Sequence, residues 1–328
     1  MIDIPASEGS TLSYLDSTRC LAPIPFAERD LPTAIAEPYF KVGDSSVALE
    51  GPAFDRHGNL LFVDVYGGRV LRLSPERELT TLYAQEGLHP AGIAIHKDGR
   101  IFVACVGPIN SRGQFDAGSV IALDPDGRNR QTIVSPEAGH VVDDMVFDRD
   151  GGFYFTDFRG TPTEATGGLF YVTPEHREIV PVLPGMCAAN GVALSPDDKV
   201  VWATEYCANR LHRIELAAPG VRARGGVSVP YTFAGRAPDS MRTDADGNAY
   251  VAMNWQGRVL VMSPFGIPIG QILLPGREDN KYLKSTSLAL VPGSRDLVIV
   301  ARDVVKGEGA MIFTARGLAP GFAMFSHQ

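Results

Sequence analysis

The stretch Val141-Val142-Asp143-Asp144-Met145-Val146-Phe147-Asp148-Arg149-Asp150-Gly151 decides how the chain folds. It opens on two adjacent carboxylates, continues as an apolar segment and turns at Asp150-Gly151 into a second segment, Gly152-Phe153-Tyr154-Phe155-Thr156-Asp157. An Asp-Gly pair between two apolar and aromatic runs is a hairpin signal.

The same order recurs five more times. Glu50-Gly51-Pro52-Ala53-Phe54-Asp55 leads to a turn at His57-Gly58, and Ala91-Gly92-Ile93-Ala94-Ile95-His96 to Asp98-Gly99. Asn190-Gly191-Val192-Ala193-Leu194-Ser195 leads to Asp197-Asp198, Asp239-Ser240-Met241-Arg242-Thr243-Asp244 to Asp246-Gly247, and Thr286-Ser287-Leu288-Ala289-Leu290-Val291 to Pro292-Gly293. By subtraction the first positions are 41, 52, 47, 49 and 47 residues apart. The segments after the turns, such as Ile101-Phe102-Val103-Ala104-Cys105 and Val200-Val201-Trp202-Ala203-Thr204, are apolar, β-branched or aromatic. Six units of four short strands at this period indicate propeller blades. The expectation is an all-β, six-bladed β-propeller over residues 37–328, with residues 1–36 as a proline-containing arm over the body. The strand near Phe40 has no unit of its own and is expected to complete the last blade, which removes a free sheet edge. A pair of β-sandwiches is the rival architecture; six repeats of similar length count against it.

Composition supports this and excludes other classes. The 328 residues are 45% hydrophobic, and 35 glycines with 24 prolines suit many short strands and turns. A net charge of -8 speaks against nucleic acid or an anionic membrane as partner. There is no apolar run of about eighteen residues, as a membrane helix would need. Residues 1–8 show neither a basic segment nor an apolar core, so a cytoplasmic location is expected. Cys20, Cys105, Cys187 and Cys207 form no CxxC pair and no zinc spacing, and are expected as free thiols.

In a propeller the innermost strand of each blade lines the central channel, so equivalent residues meet around the axis at one height. Those residues are Glu50, Ala91, Asp143, Asn190, Asp239 and Thr286. Each alone is commonplace: Asn-Gly is a turn pair, and an acid before a strand is usually solvated. Together, five of the six carry a side-chain oxygen. Carboxylates converging on an axis repel one another and are costly to desolvate without a cation. Oxygen donors without His or Cys suit Ca²⁺ first, with Mg²⁺, Mn²⁺ or Zn²⁺ as alternatives and a structural zinc site disfavoured. A divalent-metal site in the central channel is therefore expected.

At these residues the chain resembles the gluconolactonase, regucalcin (senescence marker protein) and luciferin-regenerating-enzyme family, and within it the calcium-dependent branch of the staphylococcal drug-responsive lactonases. The resemblance spans about residues 38–316. It is carried by Glu50-Gly51-Pro52, Asp143-Asp144-Met145-Val146-Phe147-Asp148, Asn190-Gly191-Val192-Ala193-Leu194-Ser195 and Pro238-Asp239-Ser240-Met241-Arg242-Thr243-Asp244, in that order. It implies that Glu50, Asn190 and Asp239 ligate a catalytic metal, with Asp143 beside it and Ser240 contributing, and that the reaction is hydrolysis of a lactone or related ester. There are two departures. The sugar-lactonase pattern Arg-x-Asn-Asp-Gly is replaced by Val141-Val142-Asp143-Asp144-Met145, which favours a ring less polar than a sugar lactone. Ser135, Ala138 and His140 stand near the Asp, Thr and Gly positions of an outer calcium loop, which removes support for a second calcium.

The expected chemistry is Lewis-acid polarisation of the substrate carbonyl, with Asp239 or Asp143 taking a proton from the attacking water. His140, Tyr206, Cys207, Met253 and Trp255 are candidates for the wall of a pocket that takes a small-molecule substrate. No GxSxG, HExxH, P-loop or dinucleotide fingerprint is present. Three alternatives remain open: a non-enzymatic binding propeller, a hydrolase of phosphotriesters or strained cyclic diketones at the same site, and a metal-free condensing propeller.

Overall fold

The computed structural model describes residues 12–15 and 18–328; the expected arm residues 1–11 and 16–17 lie outside the described residues. All six predicted turns are present. Gly58, Gly99, Gly151, Asp198, Gly247 and Gly293 sit at their left-handed positions with φ from 56° to 92°. Glycine reaches this region without strain and aspartate tolerates it, which is why these residue types punctuate the repeats.

Among the described residues the strands form six sheets arranged as the blades of a propeller, five antiparallel sheets of four strands and one of five whose outermost pairing is parallel. The inner strands are Leu49–Phe54, Pro90–Ile95, Val142–Phe147, Ala189–Leu194, Pro238–Thr243 and Lys284–Leu290, in blades 1 to 6. Glu37–Gly43 pairs antiparallel with Gly309–Arg316 as the outermost strand of blade 6, so an N-terminal segment closes the ring as expected. Thr33–Ile35 lies parallel to Pro268–Leu273 at the outer edge of blade 5, a pairing that no sequence pattern announced. Just before it, Glu28 is buried, accepts a hydrogen bond from the Tyr231 hydroxyl (2.5 Å) and pairs with Arg258, itself fully buried (2.5 Å).

The second strand of each blade is apolar on both faces because both faces are covered. Leu61 and Val63 pack into the seam between blades 1 and 2, whereas Phe62 between them packs into the seam with blade 6. Tyr154 faces blade 4 while Phe153 and Phe155 face blade 2. Alternation by strand pleat thus delivers successive residues to two different cores, and the sequence shows a continuous apolar run. Six such seams hold the ring together. At the end of the channel remote from the first positions, Phe322, Met324 and Phe325 of the C-terminal segment cap a cavity lined by Ile93, Met145 and Arg242. Among the described residues no helix is long and apolar enough to cross a membrane.

Candidate active site and metal centre

The six first positions share a local defect. In every blade the ladder between first and second strand slips at this point: after Glu50, after Pro90, after Val142, after Ala189, after Pro238 and after Ser285. Two residues of the inner strand then face one of its partner, as in a β-bulge, which bends the strand and re-aims side chains. In blades 1, 2 and 4 the second residue of the bulge is Gly51, Gly92 or Gly191. A Cβ there would stand 2.6–2.8 Å from backbone of the next blade, so only glycine permits the approach.

Hydroxyls from neighbouring blades fix this backbone. Thr156 of blade 3 donates to the carbonyl of Asn190 in blade 4. Thr204 of blade 4 donates to the carbonyl of Asp239 in blade 5 (2.8 Å) and accepts the N–H of Gly191 (2.7 Å). Thr286 of blade 6 donates to the carbonyl of Leu49, next to Glu50 in blade 1 (2.7 Å). Thr286, counted above among the axial oxygens, thus has its hydroxyl committed to the backbone. The roles of Thr156 and Thr204 were missed by sequence reasoning; the pairs Thr156-Asp157 and Thr204-Glu205 at the ends of second strands were the available signal.

The first-position carboxylates act on one another. Burial, then the charges of Asp239, Asp143 and Asp144, push the Glu50 carboxyl well above its ordinary range. Asp143 is raised by burial and then by Asp239 and Asp144. Burial raises Asp239 to about 7 despite hydrogen bonds from Asn254 and Asn190. Asn254 donates its amide to Asp239 Oδ2 at 2.6 Å, and the Ser240 hydroxyl stands 3.5 Å from Glu50 Oε2. Asn190 is 5% exposed, and its Oδ1 is buried without a hydrogen-bond partner among the described residues. A buried acceptor left unpaired costs about 1–3 kcal/mol, and a bound cation would supply what it lacks. Among the described residues no three carboxylate, imidazole or thiol groups gather closely enough to clasp an ion unaided. A donor set here has to include the Asn190 amide, and a mixed set of carboxylate, amide and hydroxyl oxygens fits a hard divalent cation.

Asp144 is placed differently from Asp143. It occupies the second bulge position, where blades 1, 2 and 4 have glycine, and accepts hydrogen bonds from both Nη atoms of Arg242 (2.8 and 3.3 Å) and from the N–H of Val192 (3.3 Å).

The expected pocket residues divide. Tyr206 packs edge-on against Phe158 at 5.7 Å, and its hydroxyl is pushed up by burial and then by the charge of Asp239. Trp255 is half-buried, with the Lys284 ammonium 4.7 Å from its ring centre. Cys207 is exposed, and its N–H donates to the carbonyl of Cys187; all four cysteines are free thiols. Met253 has no exposed surface and packs in the seam between blades 4 and 5, so it is a core residue and not the pocket wall expected of it. His140 is held by Asp157 (2.8 Å) against the rings of Phe155 and Phe170. Ala91, Val106 and Val141 form a small buried apolar cluster, against which the half-buried Phe115 and Phe158 pack.

The family described as SMP-30/Gluconolactonase/LRE-like region matches residues 49–297, from the inner strand of blade 1 into blade 6. The chain belongs to this family. Lactonase drp35 of Staphylococcus saprophyticus is 45% identical over 320 residues, covering 96% of this chain and 97% of that one. Lactonase drp35 of Staphylococcus aureus (strain USA300) is 43% identical over 322 residues, covering 97% and 98%. A solved regucalcin from Agrobacterium tumefaciens, described as a calcium-binding protein, superposes with a TM-score of 0.71 at 17% identity over 89% of this chain and 98% of that one. The chain is a hydrolase of the lactonase family.

Proposed function

We propose that the protein opens a lactone ring less polar than a sugar lactone, with a divalent cation, Ca²⁺ foremost, held by Glu50, Asn190 and Asp239 and flanked by Asp143 and Ser240. The observation that carries this reading is the pairing of mutually repelling, largely buried carboxylates with the unpartnered Oδ1 of Asn190. When bound, the cation supplies the positive charge that polarises an ester carbonyl and stabilises oxyanion character. The other steps fall to side chains. Asn254 orients Asp239 through one carboxylate oxygen. Asp143 makes no side-chain hydrogen bond among the described residues, so it is free to reorient as it takes a proton from water and returns it to the departing oxygen. Asp144, neutralised by Arg242, takes no part in proton transfer.

Val141-Val142 in place of the sugar-lactonase arginine, with the half-buried rings of Phe115 and Phe158 packed beside it, supports a ring with hydrocarbon character. The test is a panel of γ-, δ-, benzo-fused and sugar lactones, assayed after chelation and again with Ca²⁺ restored. Turnover of the less polar rings should vanish with chelator and return with calcium. Activity confined to sugar lactones, or indifferent to the chelator, would overturn the proposal.

A further inference from the structure

Two residues toward the mouth from each first position stand Ala48, His89, Val141, Ala188, Ala237 and Lys284. Five of them immediately precede the inner strand, His89 and Ala188 in left-handed backbone (φ 45° and 53°), and Lys284 opens the sixth. Their equivalence shows in the backbone: the carbonyls of Ala48, His89, Val141, Ala188 and Ala237 accept the N–H of Val65, Val106, Phe158, Tyr206 and Asn254, each at the end of its own second strand. In blade 6 Lys284 pairs with Arg302. Four of the six residues in this ring are small and apolar, and only Lys284 carries a permanent charge.

Lys284 does not stand alone. Its ammonium lies over Trp255, and Arg236 approaches the same ring at 5.7 Å. Arg302 lies over Tyr66 at 5.4 Å. Among the described residues none of these three cations is in an ion pair with a carboxylate. Burial first, then Arg302, pulls the Lys284 ammonium below its usual range; Asp239 acts the other way and Arg236 adds to the depression. Lys284 and Arg302 are half-buried and Arg236 is exposed; half-buried like charges without counter-ions are unfavourable unless something negative joins them. Asp239, the carboxylate that draws the Lys284 ammonium upward, is committed to the cation in the function proposed above. Aromatic faces hold cations without neutralising them, which keeps the charge available.

We propose that Lys284, backed by Arg302 and Arg236, is an anion subsite beside the reaction centre, and that the preferred substrate is an apolar lactone bearing a carboxylate substituent. The half-buried rings of Phe115 and Phe158 from blades 2 and 3 receive the hydrocarbon part, and the cationic side at blades 5 and 6 receives the carboxylate. This rests on the lactonase reading, and it adds a specificity-determining residue that reading does not use. Charge-assisted hydrogen bonds are about twice as strong as neutral ones, so losing one is read as a change of roughly 10- to 100-fold.

The experiment compares a benzo-fused six-membered lactone with the same ring carrying a carboxylate, on calcium-loaded wild type, Lys284→Gln and Lys284→Arg. Wild type should prefer the carboxylated ring about tenfold or more in kcat/KM. Lys284→Gln should lose that preference through KM while changing the neutral lactone less than about threefold, and Lys284→Arg should keep it. Equal use of both rings by wild type, or equal damage to both by Lys284→Gln, overturns the subsite. If neither lactone is turned over, the lactonase reading fails. The subsite is then judged by calorimetric titration with benzoate, whose binding must weaken about tenfold in Lys284→Gln; no difference overturns it.

Discussion

Arg242 offers the sharpest test of how the channel carries its charge. Asp144 is 1% exposed and Arg242 8%, and the guanidinium donates to both carboxylate oxygens. The charge of Asp144 raises Glu50, Asp143 and Asp239, and the guanidinium of Arg242 beside it offsets part of that charge. Consider Arg242→Met, which preserves an unbranched stem and removes the charge. Breaking a buried pair by deleting one partner costs about 3–5 kcal/mol. Asp144 retains the N–H groups of Met145 (2.9 Å) and Val192, which places the cost toward the lower end of that range.

With a urea slope of about 3 kcal/mol/M, the unfolding midpoint in EDTA should fall by roughly 1 M. Two controls make the reasoning refutable. Asp144→Asn combined with Arg242→Met removes the uncompensated charge and should recover at least half of the loss. Calcium should narrow the gap between Arg242→Met and wild type, because a cation bound nearby takes over part of the neutralisation. A single variant within about 1 kcal/mol of wild type, or a double variant no better than the single, would show that the pair does not carry the charge balance described.

Two further outcomes are expected. Asp143→Asn should lower kcat by about 10²–10⁴, the range of a lost general base, while circular dichroism shows an unchanged fold; near-wild-type rates would remove Asp143 from the mechanism. The second concerns pH without metal. Glu50, Asp143 and Asp239 have folded pKa values above their unfolded ones, so the stability they allow is full below about pH 4 and lost as pH rises through the folded values. In EDTA the thermal midpoint should therefore fall between pH 5 and 8, and saturating calcium should abolish that decline.

What the sequence made legible was what repeats. The turn residues recur because each hairpin needs a left-handed residue at the same place, and Asp198 is readable there because Asp tolerates what Gly does freely. The first positions were legible for the same reason, since one register in six units converges on one axis. Contacts between blades were not legible. Nothing near Asp144 in sequence announces Arg242, 98 residues away, and nothing near Thr204 announces the carbonyl of Asp239, 35 residues on. Thr286 shares the register of the acids, yet the proximity of Leu49 turns its hydroxyl to the backbone. Met253 misled because both faces of a second strand are buried, so a residue at the strand's end can belong to a seam and not to the mouth.

The bulge explains how a near-symmetric frame holds an asymmetric site. It frees two residues in one place: the first is aimed at the axis, and the second is pressed toward the neighbouring blade. Where the second is Gly51, Gly92 or Gly191, backbones close to contact and the first residue is held rigidly. Where it is Asp144, a charge enters the seam toward blade 4 and must be met by Arg242 from blade 5. The same local irregularity thus creates both the converging carboxylates and a buried counter-ion pair beneath them. Changing the chemistry of the site then requires no change in the blades, because each blade contributes its two residues independently of how its outer strands pair. In blade 2 the same bulge carries Ala91 at the first position, buried against Val106 and Val141, where blades 1 and 3 carry Glu50 and Asp143.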